Sequence, residues 1–123
     1  MAPKPIRRES ADAVKIPANR WHRVEWGGDA VNGPALYHAL FAATLQDVTP
    51  GSQIQIRTFH TADGGKSDRT TVERIATDGA TFIDMSAAEE LPEGAALGFE
   101  LLVVDAAHST VTLERVALTG YHW

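Results

Sequence analysis

Residues Ala35–Val48 read ALYHALFAATLQDV, and whether this stretch coils or extends decides the fold class. As a helix, Pro34 would sit at the first position behind a Gly33 or Asn32 cap. Leu36 with Leu40, and Tyr37 with Phe41 and Leu45, would then recur at helical spacing. The four alanines favour that reading on propensity. As a strand, Tyr37, Ala39, Phe41, Ala43 and Leu45 line one face. The other face runs Leu36, His38, Leu40, Ala42, Thr44, Gln46 and turns polar along its length. The segment's own composition leaves both open. Its neighbours argue for the strand, because every flanking segment alternates with period two and DVTPGS after it is a strand-to-strand turn.

Working outward, QIQIRTFH (Gln53–His60) alternates cleanly, and TADGGKSD after it has the Asp-Gly-Gly of a hairpin loop. RTTVERIAT returns as a polar, edge-type strand, and TFIDMS is a short one. AAEELPEG reads as a loop or single helical turn. AALGFELLVVDA is the strongest apolar strand. Leu97, Phe99, Leu101 and Val103 oppose Leu102 and Val104, which suits a central position. TVTLERVALTGYHW closes the chain as another alternating strand. Upstream, WHRVEW sets His22, Val24 and Trp26 against Trp21, Arg23 and Glu25. Seven or eight strands with turn signals every eight to twelve residues imply an all-β antiparallel β-sandwich or jelly roll.

Charge divides the 123 residues. Residues 1–23 carry Lys4, Arg7, Arg8, Lys15, Arg20 and Arg23 against Glu9 and Asp12, a net +4. Residues 24–123 carry the remaining five cations against fourteen carboxylates, a net −9. Pro3 and Pro5 disfavour helix, so residues 1–12 read as an extended basic N-terminal arm and residues 13–123 as the sandwich domain. A basic arm on an acidic body suits docking on an acidic neighbour. Deleting residues 1–12 is then expected to abolish assembly while leaving the domain folded. An acidic body argues against nucleic acid as a partner.

The chain has no cysteine, which removes disulfides, thiol catalysis and Cys-based zinc sites. The longest apolar run, ALGFELLVV, is far short of the roughly 20 residues that span a bilayer, and the N-terminus lacks a signal peptide's apolar segment. These features lead to an expectation of cytoplasmic synthesis without membrane association.

Catalytic motifs are absent: no phosphate loop, nucleophile elbow or His-Glu-x-x-His pair. His22, His38 and His60 could meet across adjacent strands to hold a metal. The scattered histidines contain no ligand-spaced pair, so no metal or cofactor is expected. Asp63 and Asp68 read as turn formers rather than calcium ligands, and Glu89, Glu90 and Glu93 as a solvated face. Aromatic and arginine residues are the best lead. Trp21, Trp26, Tyr37 and Trp123 are candidates to stack on sugar rings. Arg7, Arg8, Arg20, Trp21, Arg23 and Trp123 have the composition of a subunit interface, where Trp, Tyr and Arg are enriched. In the interface reading Trp26 packs inward and Trp21 sideways.

IPANRWHRVEW, LQDVTPGSQIQIRTF and LPEGAALGFELLVV, in that order, resemble small β-sandwich proteins of tailed-phage virions, in particular minor tail and decoration-type proteins of actinobacterial phages. A W-x-x-V-x-W strand (Trp21, Val24, Trp26) is followed there by a Pro-Gly turn into an Ile-x-x-Arg type strand, then an L-x-x-G turn before a central apolar strand. The likeness runs from about Val14 to Leu118 and is a strand-and-turn pattern, shared in part by tumour-necrosis-factor-like and complement-like trimers. It implies a non-enzymatic virion structural protein that forms a homo-oligomer, attaches to other tail or capsid proteins through its arm, and resides in the virion. The alternative is a carbohydrate-binding sandwich that recognises host-surface glycan.

Overall fold

The computed structural model describes residues 4–24, 35–60, 71–91 and 97–123, with the side chains of Ala35 and His60 left aside. Trp26, Asp63, Asp68 and Glu93 lie outside these residues. The described residues contain no helix, and thus none long and apolar enough to cross a membrane. They form nine strands: β1 (Lys4–Ser10), β2 (Val14–Pro17), β3 (His22–Val24), β4 (Ala35–Gln46), β5 (Gln53–His60), β6 (Thr71–Ile75), β7 (Thr81–Leu91), β8 (Leu97–Val104) and β9 (Thr110–His122). One sheet has the order β1-β9-β4-β7, with β2 also on β9; the other is β3-β8-β5-β6. Every pairing among them is antiparallel, and the two sheets face each other as a β-sandwich.

The deciding stretch is a strand. Tyr37, Ala39, Phe41, Ala43 and Leu45 are all buried on one side of β4, so alternation overrides alanine's helical propensity once both neighbours β7 and β9 are in place. Across the sandwich Ile54 and Ile56 of β5 and Phe99, Leu101 and Val103 of β8 complete the core. Phe41 stacks on Phe99 with ring centroids 4.9 Å apart, tying sheet to sheet.

Three expectations change. The N-terminal segment is extended, but Lys4–Ser10 is laid along β9 as a sheet strand, Lys4 opposite His122 and Ser10 opposite Val116. β2 then continues along the same edge. Backbone pairing holds this segment despite its low apolar content, so removing residues 1–12 would strip a strand from the sheet rather than detach a free arm. Second, AAEEL does not turn: β7 runs to Leu91, with Met85 and Leu91 buried and Ala87 and Glu89 half-buried on the inward side. Glu89 fits there because the hydroxyl of buried Thr58 donates to its Oε1. Third, β9 breaks its alternation. Arg115 adopts φ 53°, and the β4 register jumps between Ala42 and Thr44. This bulge shifts the inward set from Val111 and Leu113 to Val116 and Leu118.

All described crossings between the sheets (residues 18–21, 47–52, 76–80 and 105–109) lie at one end of the sandwich. The starts of β4 and β8 and the end of β9 lie at the other, and the surface described next is concentrated there.

Candidate functional site

The outward face of the five-stranded sheet follows from the inward one. With Tyr37, Ala39 and Phe41 buried, β4 must turn Leu36, His38 and Leu40 outward. The register places His38 beside Tyr121 and Leu40 beside Thr119, and Leu36 exchanges two backbone hydrogen bonds with Trp123. Leu36, Leu40, Tyr121 and Trp123 are 38%, 40%, 51% and 47% exposed. The Trp123 indole meets the His38 ring edge-on, centroids 5.3 Å apart. Ala88 and Ser86 on β7 and Ala117 on β9 add only small side chains beside them. Single exposed apolar residues are ordinary, but four large ones gathered at one end of one face make a candidate contact surface.

The outer face of the four-stranded sheet is built differently. Arg23, Glu100 and Arg57 lie directly across from one another on β3, β8 and β5. Arg57 Nε donates to Glu100 Oε1 at 2.7 Å and Arg23 Nε to Oε2 at 3.1 Å. The Arg57 guanidinium lies 3.6 Å from the Trp21 ring centroid, and that of Arg23 lies 4.4 Å from Phe59's. Gly98 makes room for this: a Cβ there would overlap the Phe59 ring. Glu100 is buried, so its charge is stabilised by these two cations, which are themselves held by aromatic faces.

At the crossing end, Asp105 is buried and gathers the turns. The Thr49 N–H donates to Oδ2 at 2.8 Å and the Thr49 hydroxyl to Oδ1 at 2.9 Å. The N–H groups of Ala107 and His108 donate to Oδ1. Asn19, in the left-handed region at φ 63°, exchanges two hydrogen bonds with the Asp105 backbone. His108 Nδ1 is 2.9 Å from Asp105 Oδ2 and 3.2 Å from Thr49 Oγ1. Both contacts fall on the same ring nitrogen, and the threonine proton goes to the aspartate. This is a turn clamp; a proton relay would use the two ring nitrogens separately.

The Thr49 N–H above all, with the Ala107 N–H and the His108 and Thr49 side chains, holds the Asp105 carboxyl well below the usual carboxylate range, against burial that raises it. A lowered folded-state value stabilises the protein above the unfolded carboxylate range, near pH 4, and that contribution is lost as pH falls through the lower folded value. Asp105→Asn should lower the melting temperature at pH 7 by roughly 5–10 °C. It should also flatten the dependence below about pH 4. Parallel Tm-against-pH curves for the two proteins would contradict this.

The expected interface residues do not form one surface. Arg7, paired with Glu9 at 3.2 Å, and Trp123 belong to the outer face of the five-stranded sheet. Trp21 and Arg23 belong to the opposite outer face. Arg20 is exposed in the crossing between β2 and β3, and Arg8 points toward the interior side of the β1 edge, opposite Leu118. The sugar-stacking set is also dispersed. Tyr37 is buried and stacks on His122, centroids 5.1 Å apart, so it offers no platform. Trp21 has its ring engaged by Arg57, and Trp26 lies outside the described residues. Trp123 alone of that set is open and described. His22 is on the interior side of β3, where burial and then Arg20 pull it below the usual histidine range. His38 is on the far outer face, so the two cannot share an ion. Arg57, Phe59 and Glu100 were not singled out from sequence. Each alternates outward on its strand, but only the strand register shows that they meet.

No protein-family profile matches this chain, and no curated protein does. Its shape does have counterparts among solved structures. A chain in the structure of infectious bursal disease virus, Gx strain, is similar with a TM-score of 0.52 at 11% identity, over 97% of this chain and 36% of that one. A family 35 carbohydrate-binding module from Clostridium thermocellum gives 0.45 at 11% identity, over 94% and 97%. The enzymatically active domain of tailspike protein 4 from bacteriophage CBA120 gives 0.44 at 12%, over 94% and 19%. At such identities the likeness is one of fold alone, and the strand order and pairing define the class as the antiparallel β-sandwich.

Proposed function

We propose that this chain is a non-enzymatic structural subunit of a tailed-phage virion, a minor tail or capsid-decoration protein, that assembles with copies of itself and with neighbouring virion proteins. The observation that carries the assembly reading is the apolar end of the five-stranded sheet, where Leu36, Leu40, Tyr121 and Trp123 stand open together. Burying such a patch between subunits recovers on the order of 25 cal/mol per Å². The virion assignment is supported by the strand-and-turn resemblance, and the fold is compatible with it. Attachment passes from a free arm to β1 and the face beside it.

The test is a paired substitution on that face, Leu40→Glu with Tyr121→Glu. Neither side chain is in the core, so the far-UV circular dichroism should stay that of the wild type while the assembly disperses into single chains. An assembly of unchanged mass would remove the face from the account. One observation favours the glycan alternative: Tyr121 and Trp123 are both exposed on the same face. The aliphatic Leu36, beside Trp123, and Leu40, beside Thr119, suit a protein surface better than a sugar ring, which asks for hydrogen-bonding groups around the stacking residue.

A further inference from the structure

The five-stranded sheet ends in two edges of opposite charge. Among the described residues, neither the outer side of β1 nor that of β7 is paired with another strand. β1 carries Lys4, Arg7 and Arg8 against Glu9, whereas β7 carries Asp84, Glu89 and Glu90 and no cation.

The register shows which backbone groups these edges offer. Leu36 and Trp123 exchange both backbone hydrogen bonds, so even-numbered residues of β4 turn their N–H and C=O toward β9 and odd-numbered ones toward β7. Tyr37 faces Glu89, which leaves Asp84, Ser86, Ala88 and Glu90 presenting theirs at the free edge. The same alternation through β9 leaves Pro5, Arg7 and Glu9 facing out on β1. Pro5, lacking an N–H, sits at one of these outward positions. Arg74 covers one outward carbonyl on β7, its Nη2 3.1 Å from Asp84 O and 3.2 Å from Asp84 Oδ1.

A proline, charged side chains and a capped carbonyl are devices that discourage indiscriminate edge pairing. Their signs differ, however. Two β1 edges would set Arg7 against Arg7, and two β7 edges would set Glu90 among carboxylates; like charges across a strand pair are unfavourable. The unlike combination is favourable where β1 slides along β7 until Arg7 meets Glu90, four residues from the level of Ser86 that Arg7 holds across its own sheet, and its direction fits. Each strand on the path β1-β9-β4-β7 is antiparallel to the next, so β1 and β7 run in opposite directions. A second copy placed edge to edge, without being turned over, therefore meets β7 with an antiparallel β1. Arg7, Ser86, Ala88 and Glu90 all project on the outer face, so the apolar surface would continue from copy to copy.

We infer that copies of this chain associate head to tail, β1 of one against β7 of the next, extending the five-stranded sheet across the contact. This rests on the reading that the protein assembles with itself, and adds to burial of the apolar face a second contact that reinforces it and does not hold copies together alone. A head-to-tail contact closes into a ring or continues as a filament.

Full-length Arg7→Glu and Glu90→Arg, singly, combined in one chain, and mixed as two single variants, test this by light scattering at low and high salt. Each single variant should weaken association about tenfold. The combined variant and the equimolar mixture, in which unlike charges again meet across the contact, should recover it. High salt should weaken the wild-type assembly. Single variants that assemble like the wild type, while Leu40→Glu with Tyr121→Glu disperses it, would overturn the edge contact and leave the face reading intact. A wild type that remains a single chain throughout would overturn both.

Discussion

Gly120→Ala is expected to lower the melting temperature by at least about 10 °C. Gly120 has φ +155°, and a Cβ built on it would overlap the His38 carbonyl oxygen and lie 2.9 Å from Ala39 Cα. These are backbone atoms of the paired strand, so no side-chain rotation relieves the contact. A non-glycine residue in this conformation costs roughly 1–3 kcal/mol, and overpacking against fixed atoms adds a similar amount. About 4 kcal/mol together is a large share of the roughly 5–15 kcal/mol that holds a domain together. Thermal unfolding checks it: the variant should melt at least about 10 °C lower. A melting temperature within a degree or two of wild type would show that β4 and β9 can separate here without loss. Because Gly120 sits beside Tyr121 and opposite Ala39, any backbone shift that rescued folding would also move the apolar face, and assembly should fall with stability.

The second large effect is expected at Glu100. Its carboxylate is buried between Arg23 and Arg57, which are partly exposed. Removing one member of a fully buried pair costs about 3–5 kcal/mol, but cations that keep some water lose less. Glu100→Ala should therefore cost about 2–3 kcal/mol. Glu100→Gln, which keeps one acceptor, should cost less. Trp21 should report the loss, because the Arg57 guanidinium stacked on its ring is positioned by Glu100. Its fluorescence and near-UV dichroism should change in Glu100→Ala. A variant with wild-type stability and an unchanged tryptophan signal would contradict this role.

What could be read from sequence divides along physical lines. β4 was legible only through its neighbours: its own residues fit helical and period-two spacing alike, and the alternation of the flanking segments decided for a strand. β8 was legible because it is apolar on both faces. The β1 strand was not, since Lys4, Arg7 and Arg8 carry no apolar alternation and the segment is held by backbone bonds to β9. The second half of β7 was hidden by Glu89, an acidic residue at an inward position whose partner, Thr58, is far away in sequence. The bulge at Arg115 reverses the phase of β9 with no glycine to signal it. The surface was partly legible: Trp123 was a candidate, and β4's second face showed Leu36 and Leu40. That they converge depends on the β4–β9 register, as the Arg23–Glu100–Arg57 row depends on the pairing of β3, β8 and β5. Periodicity shows which way a side chain points on its own strand. It does not show what stands beside it.

The central claim is that this sandwich is an assembly subunit, and the most direct measurement is the solution mass of the wild-type protein by light scattering across a range of concentrations. The account predicts a defined multiple of the single-chain mass, under conditions where the folded Leu40→Glu, Tyr121→Glu protein runs as a single chain. A wild type that holds the mass of one chain at every concentration would contradict it.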